Sequence, residues 1–366
     1  MNILFYTPVN FRCRDIESLA KKYSDDGNKV YLLSQCDEGI FHDAFRSMGL
    51  QASSDRIKTK SAFFRIIKQV ISVIQFCADN EIDLVYSHLE PTNFVSVIAQ
   101  YFIRARVIIY RHHIDAAKLF DFDKSITYQL TYKMAQTVIS VSRQGMLYMI
   151  ENEKVASEKI VHINLGYDFL LYEEADMKTV MKIRSCCDGI LLITVGRLTK
   201  YKRSELSLNL VREARLMGLN VSLLILGEGE EEENLKELAV KYNIRDNVFF
   251  GGFTHRILDH LAAADFLIHP SISESSCVVI KEAGLVELPV IVCGGIGDFD
   301  DYMKNEINSV VVDKEKFVEE ALVHLHHYIT NRNHYRALGK RLKEDIFSRF
   351  SIDKVFDEYS RFRVNN

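Results

Sequence analysis

The sequence predicts an α/β protein of two doubly wound, Rossmann-like domains, each a parallel sheet with helices on both faces. Three observations predict it. At 366 residues the chain exceeds one small module and fits two domains of ordinary size. Short β-branched apolar runs recur along it, separated by longer segments of helical period. The runs also fall into two sets, with a stretch of mixed charge between them.

The first set reads as strands at 2–6 (NILFY), 29–34 (KVYLLS), 83–87 (DLVYS), 106–110 (RVIIY), 137–141 (TVISV) and 160–163 (IVHI). The second reads as strands at 190–195 (ILLITV), 220–226 (NVSLLIL), 247–250 (NVFF), 265–268 (DFLI), 289–293 (PVIVC) and 309–312 (SVVV). Between them, residues 168–188 carry mixed charge and no β pattern, which places the junction there and gives domains at 1–170 and 171–349. The tail, RFSIDKVFDEYSRFRV, sets Phe350, Val355, Phe356 and Tyr359 at helical spacing around Ser351, a good N-cap, and reads as a terminal helix over about 350–366. Two open sheets of this kind are expected to face one another across a cleft lined by the carboxyl ends of their strands, where such domains hold ligands. Motifs therefore belong just after strands.

Composition narrows the function. With 48% hydrophobic and 26% charged residues the chain is an ordinary globular one, so disordered, collagenous and disulfide-scaffold classes fail. The formal net charge of -4 supplies no field for holding a nucleic acid. Seven cysteines, with no CxxC and no Cys/His ligand spacing, read as reduced thiols of a cytoplasmic protein, and no zinc site is legible. The apolar segments 61–78 and 94–110 are interrupted by Arg65 and Lys68 and by Arg104 and Arg106, so neither is expected to span a bilayer, and MNILFYTPVNF reads as a first strand rather than an export signal.

The strongest motif is HPSISESSCVVIKEAGLVELPVIV, residues 269–292, in which seven residues separate Glu274 from Glu282. With a helix beginning near Ser275, Glu282 lies about 12 Å beyond Glu274, a span suited to the two ends of a nucleotide sugar. The amides of Ser275, Ser276 and Cys277 would then face a phosphate, as helix N-termini do. The same pattern also fits a helix with an acidic first turn and one exposed glutamate. In ITVGRLTKYKRSEL (193–206), Gly196, Arg197 and Lys202 follow a buried strand. A planar guanidinium and a compact ammonium there can clamp a diphosphate and stabilise it as it departs. The alternative is a solvated basic turn shared with Lys200 and Arg203. Gly227-Glu228-Gly229 adds a tight turn and Gly251-Gly252-Phe253 a second glycine-rich one.

In this order and at these strand ends, the motifs resemble the retaining glycosyltransferases of family 4, which have the GT-B fold. The resemblance implies transfer of a sugar from a nucleotide-diphosphate donor, UDP- or GDP-linked, to a glycan or glycolipid acceptor of the polysaccharide, capsule or lipopolysaccharide type. It implies that Arg197 and Lys202 bind the diphosphate, Glu274 the sugar hydroxyls, Glu282 the ribose and the stretch around Phe253 the base. Metal-independent chemistry is expected, because the two cations replace the Mg²⁺ of other folds. The triplets Asp121-Phe122-Asp123 and Asp298-Phe299-Asp300 are accordingly read as chance rather than as metal ligands. The chain departs from the family where an aromatic-glycine pair often follows the first glutamate, since Ser276-Cys277 stand there, and where Arg203 rather than glycine follows Lys202. Asn10, in Pro8-Val9-Asn10-Phe11, replaces the usual glycine pair.

In the first half, His112 and His113 lie just past a strand, where the family often carries a histidine facing the sugar; either reads equally as an ordinary loop residue. His88, Glu90 and Asn93, in SHLEPTN, are acceptor-side candidates together with Asn10. Residues 56–78 carry Arg56, Lys58, Lys60, Arg65 and Lys68 and no acid, interleaved with Phe63, Phe64, Ile66 and Ile67. Such a helix fits either peripheral contact with an anionic membrane at the inner face or a crossover helix with a basic outer side. Two other function classes stay open: a nucleotide-sugar epimerase, which needs no acceptor, and a silent glycan- or partner-binding homologue.

Overall fold

A computed structural model describes the backbone of residues 1–114 and 122–362, and the side chains of these except 122–126. Two compact units result. The first comprises Met1–Leu171 with the segment from Phe350 onward, the second Tyr172–Arg349.

The first unit is a seven-stranded parallel sheet. Its strands are β1 (Asn2–Thr7), β2 (Lys29–Ser34), β3 (Gln51–Ser54), β4 (Leu84–His88), β5 (Arg106–Arg111), β6 (Thr137–Ser140) and β7 (Ile160–His162). Their order is β3-β2-β1-β4-β5-β6-β7. The central strands are continuous apolar runs because helices cover both faces; Ile3, Leu4, Phe5 and Tyr6 are fully buried. β3, QASS, is a strand that the sequence pattern missed, since an edge strand with no large apolar residue leaves no periodic signal. The terminal helix expected over about 350–366 is instead a short helix, Ile352–Val355, followed by a 3₁₀ segment, Phe356–Phe362. Ser351 is the extended N-cap of the short helix and bridges Tyr167. Tyr359 then accepts the Tyr110 hydroxyl at 2.9 Å, and Phe356 packs edge-on against Tyr23.

The second unit is a six-stranded parallel sheet of β8 (Ile190–Val195), β9 (Val221–Leu226), β10 (Val248–Gly252), β11 (Phe266–His269), β12 (Val290–Cys293) and β13 (Val310–Val312). Its order is β10-β9-β8-β11-β12-β13. In each sheet the winding reverses once, between β1 and β4 and between β8 and β11. Such switch points leave a crevice at the carboxyl ends of the two central strands, so chemistry is to be sought after Thr7 and His88 in one unit and after Val195 and His269 in the other.

No helix among the described residues is long and apolar enough to cross a membrane. The basic segment 56–78 divides in two: the helix runs only from Ala62 to Asp79, with Ser61 accepting the Phe64 amide as N-cap, and Arg56, Lys58 and Lys60 precede it.

Candidate functional site

At the β8–β11 switch point, backbone geometry comes first. Gly196 follows β8 with φ 148°, and Gly227 follows β9 with φ 119°. A Cβ on Gly227 would lie 2.0 Å from the Gly196 carbonyl oxygen, so only glycine allows the two loops to touch. The Gly227 amide donates to Gly252 at 2.8 Å, tying the ends of β8, β9 and β10 together. Phe253, just beyond, is exposed, its ring met edge-on by His255.

Side chains then converge on Glu274. Lys202 forms an ion pair with its Oε1, and His269 Nε2 lies 2.8 Å from the same oxygen. Cys277 Sγ is 3.5 Å from His269 Nε2. Burial opposes the ionised carboxyl, but the Lys202 ammonium and the His269 hydrogen bond outweigh it and hold Glu274 at about 2. His269 is likewise buried, yet Cys277 and Glu274 raise it to about 9. Arg197 is exposed and forms no ion pair among the described residues. With Gly196, Lys202, Ser204 and His269 it lines a small pocket that is partly open to solvent. A free guanidinium beside a cation-rich pocket is suited to a polyanion.

Lys202 is therefore not a free clamp, as the spacing suggested, but shares its charge with Glu274. Arg203 is no solvated turn residue either. It sits in the left-handed region at φ 51°, where the resemblance has glycine, and its guanidinium donates to the Pro270 and Lys314 carbonyls and to Cys293 Sγ. Those three contacts offset the backbone cost of roughly 1 kcal/mol or more.

The helix after Glu274 starts three residues later than the sequence suggested, at Val278 with Cys277 as its N-cap, and runs to Leu285. Ser275, Ser276 and Cys277 thus precede it. Ser276 donates instead to Asp298 at 2.9 Å, and Lys281 forms a fully buried ion pair with the same carboxylate. Burial raises the pKa of Asp298, while the Lys281 ammonium, the Ser276 hydroxyl and the Cys277 amide pull it back. Glu282 lies about one turn into the helix, roughly 6 Å along its axis from Val278, so only the second half of the interval from Glu274 is helical, and it is half-buried. Of the two DxD triplets, Asp298 is consumed by Lys281 and Asp300 accepts the Gly295 amide at 3.0 Å. The side chains of Asp121-Phe122-Asp123 lie outside the described residues.

At the β1–β4 switch point of the first unit, buried His88 ends β4, its Nδ1 3.2 Å from His112 Nε2. Burial and the neighbouring ring push His88 well below the ordinary histidine range, and burial with His113 pushes His112 down to about 3. Glu90 accepts the Phe94 amide at 3.3 Å through one oxygen, and burial raises its carboxyl to about 7. The other oxygen, Oε1, is buried with no hydrogen-bond partner, as is His88 Nε2. Asn93 is fully buried and ties to the Tyr110 carbonyl at 2.9 Å, and Asn10 spends its amide on Asp37 at 3.1 Å. Both are tethers rather than open ligand contacts. His113 is half-buried, its carbonyl accepting from Arg111.

The sequence missed His269 and the Ser276–Lys281–Asp298 cluster. A histidine closing a strand five residues before the first glutamate was the available signal for His269; Asp298, 22 residues from Ser276, left none.

Comparison with known proteins agrees along most of the chain. The model for "Glycosyl transferases group 1" matches residues 183–345, and that for "Glycosyltransferase Family 4" matches residues 14–169. The N-acetyl-alpha-D-glucosaminyl L-malate synthase of Bacillus anthracis is 23% identical over 76% of this chain and 73% of its own. The UDP-Gal:alpha-D-GlcNAc-diphosphoundecaprenol alpha-1,3-galactosyltransferase of Escherichia coli is 24% identical over 82% and 80%. Anabaena HepE in complex with UDP-glucose superposes with a TM-score of 0.84 at 19% identity, covering 99% of both chains.

Proposed function

Because this chain belongs to the family 4 and group 1 glycosyltransferases of the GT-B type, we propose that it moves a sugar from a UDP-linked donor to a glycan or glycolipid acceptor with retention and without a metal ion. The observation that carries this reading is the pocket at the β8–β11 switch point, where Arg197 is free beside the Lys202–Glu274–His269 cluster. In the reaction, the bond from the anomeric carbon to the β-phosphate oxygen breaks and the acceptor oxygen bonds to the same face of the sugar. The acceptor proton passes to the departing phosphate. Negative charge builds on that phosphate, and Arg197 and Lys202 stabilise it as a metal ion otherwise would. Glu274, held ionised, accepts hydrogen bonds from sugar hydroxyls, and Glu282 is assigned the ribose and Phe253 the base. UDP is the preferred base carrier because HepE, of the same fold, holds UDP-glucose.

Neutral His88 and His112, with Glu90 beside them, are assigned to the acceptor side. That acceptor is proposed to be lipid-linked at the cytoplasmic face of a membrane. On helix Ala62–Asp79, exposed Phe63, Ile67, Ile71 and Phe64 form one stripe of roughly 100° at 100° per residue, and Lys68 and Arg65 fill the next roughly 100°. Val70, Val73 and Cys77 occupy the remaining side, against the core. An apolar stripe edged by cations suits the headgroup boundary of an anionic leaflet.

Thermal-shift measurements with UDP, GDP and ADP, each with Mg²⁺ or EDTA, on the wild type and Arg197→Ala test the donor site. UDP at 100 times its dissociation constant should stabilise the wild type by about 2.7 kcal/mol, equally with and without Mg²⁺, and the variant much less. No shift with any nucleotide overturns the reading, and sugar isomerisation without acceptor would replace it by an epimerase.

A further inference from the structure

Cys277 stands where the family resemblance has glycine, and nothing in the proposed transfer uses its thiol. Its surroundings are those of a metal ligand. His269 Nε2, a Glu274 carboxylate oxygen and Cys277 Sγ lie within 4.8 Å of one another, the one such group of three among the described residues. Nε2 is 2.8 Å from Glu274 Oε1 and 3.5 Å from Sγ. A tetrahedral zinc ion with bonds of about 2.1 Å to nitrogen and oxygen and about 2.3 Å to sulfur requires roughly 3.4 Å and 3.6 Å for those pairs. Nε2 and Sγ are already within about 0.1 Å of their target, Nε2 and Oε1 must separate by about 0.6 Å, and the carboxylate oxygen and Sγ, which lie within 4.8 Å, must settle at about 3.6 Å.

We propose that His269, Glu274 and Cys277 form a binding site for a thiophilic divalent cation of the Zn²⁺ class, which takes the place of the Lys202 ammonium on Glu274. The donor chemistry selects the ion. One nitrogen, one oxygen and one sulfur suit zinc and its borderline-soft relatives, whereas Mg²⁺ and Ca²⁺ require oxygen shells. Binding requires His269 and Cys277 to give up their protons, after which a carboxylate and a thiolate neutralise the dication. Lys202 and His269 both line the pocket at the β8–β11 switch point, which supplies an entry path and leaves the fourth coordination position to water.

The consequence for catalysis, which rests on the functional reading above, is inhibition. The ion occupies the carboxylate assigned to the sugar and removes Lys202 from its place, so it acts as an off-switch rather than as a cofactor. The loop closes over sequence positions 269, 274 and 277, a spacing that matches no common zinc motif.

Titration of the purified chain with Co²⁺, read by absorption, tests the site. One equivalent should produce a thiolate-to-cobalt charge-transfer band that Zn²⁺ abolishes. The band should be absent in Cys277→Ser, weakened about tenfold or more in affinity in His269→Asn, and unchanged in Cys186→Ser, which alters an exposed thiol. Near-ultraviolet circular dichroism of Cys277→Ser confirms that the variant is folded. No thiolate band in the wild type, or a band that survives in Cys277→Ser, overturns the proposal. A UDP thermal shift measured with and without Zn²⁺ separates the two readings: a cobalt band without any nucleotide binding sinks the donor assignment and leaves the metal site standing, and the reverse sinks the metal site alone.

Discussion

The two sheets present their carboxyl edges in the same topology but prepare them in opposite electrostatic states. After β8 and β11, Glu274 is ionised and His269 is protonated, because each buried group faces a partner that favours its charge. After β4 and β5, burial holds His88 and His112 neutral, each beside another histidine, and holds Glu90 at about 7, because the Phe94 amide and the Arg111 charge offset burial only in part. The cation at that edge, Arg111, is spent internally on Glu153 at 2.7 Å and on the rings of Tyr128 and Tyr132. Burial is common to both edges, so the sign of the neighbour decides the protonation state. In the proposed reaction the difference divides the labour: the charged edge meets a diphosphate and the neutral edge meets hydroxyls.

The most severe way to break the charged edge is to remove one half of its buried pair. Lys281→Met leaves Asp298 without its cation in a site where both side chains are 1% exposed, and should cost about 3–5 kcal/mol of stability. Lys281→Met with Asp298→Asn should recover most of that, measured by urea unfolding. Equal losses in the single and double variants would show that the pair does not hold the loop before Val278. Removal of the free cation acts on a different quantity. Arg197→Ala should lower transfer by about 10²–10³-fold, roughly 3–4 kcal/mol of barrier, with the melting temperature unchanged. A comparable fall in melting temperature would make Arg197 structural.

Glu90 sharpens the comparison through pH. Its carboxyl is raised from 4.5 to about 7 in the folded chain, so the stabilisation it contributes is complete below pH 4.5 and is lost as pH rises through 7. Up to about 3 kcal/mol is at stake. Glu274, lowered to about 2, has the opposite sign and costs stability only as pH falls from 4.5 towards 2. Glu90→Gln cannot ionise, so its stability relative to wild type should rise between pH 5 and pH 8. A difference independent of pH in denaturant midpoints would show that Glu90 is not displaced.

How much of this was legible in the sequence depended on the range of the deciding contact. The strands flanking the charged edge, β8 and β11, announce themselves as apolar runs, and Gly196, Arg197, Lys202 and Glu274 follow from their ends. What failed was set by distant partners. The residues from Ser275 look like a helix start, but Asp298 captures the Ser276 hydroxyl and the coil continues to Cys277. Arg203 read as a solvated cation because Pro270, Lys314 and Cys293 are far away in the chain. β3 was missed for the converse reason: a half-exposed edge strand carries no apolar alternation to detect.

The last and smallest effect concerns the outer side of the first unit. Helix Ala62–Asp79 begins at the carboxyl edge of its sheet, as crossover helices do, so Phe63 and Phe64 lie at the end where His88 and His112 are found. They are 68% and 58% exposed, the apolar end of the stripe assigned above to a membrane surface. Phe63→Ser with Phe64→Ser should weaken sedimentation with vesicles rich in phosphatidylglycerol, and Lys68→Gln should remove about 1 kcal/mol of the attraction. Zwitterionic vesicles should bind neither form, and high salt should weaken wild-type binding because the cations act through a screened field. Turnover with a short water-soluble acceptor should be unaffected, since none of these side chains belongs to either switch point. Equal binding to charged and zwitterionic vesicles would assign the stripe to a protein partner instead.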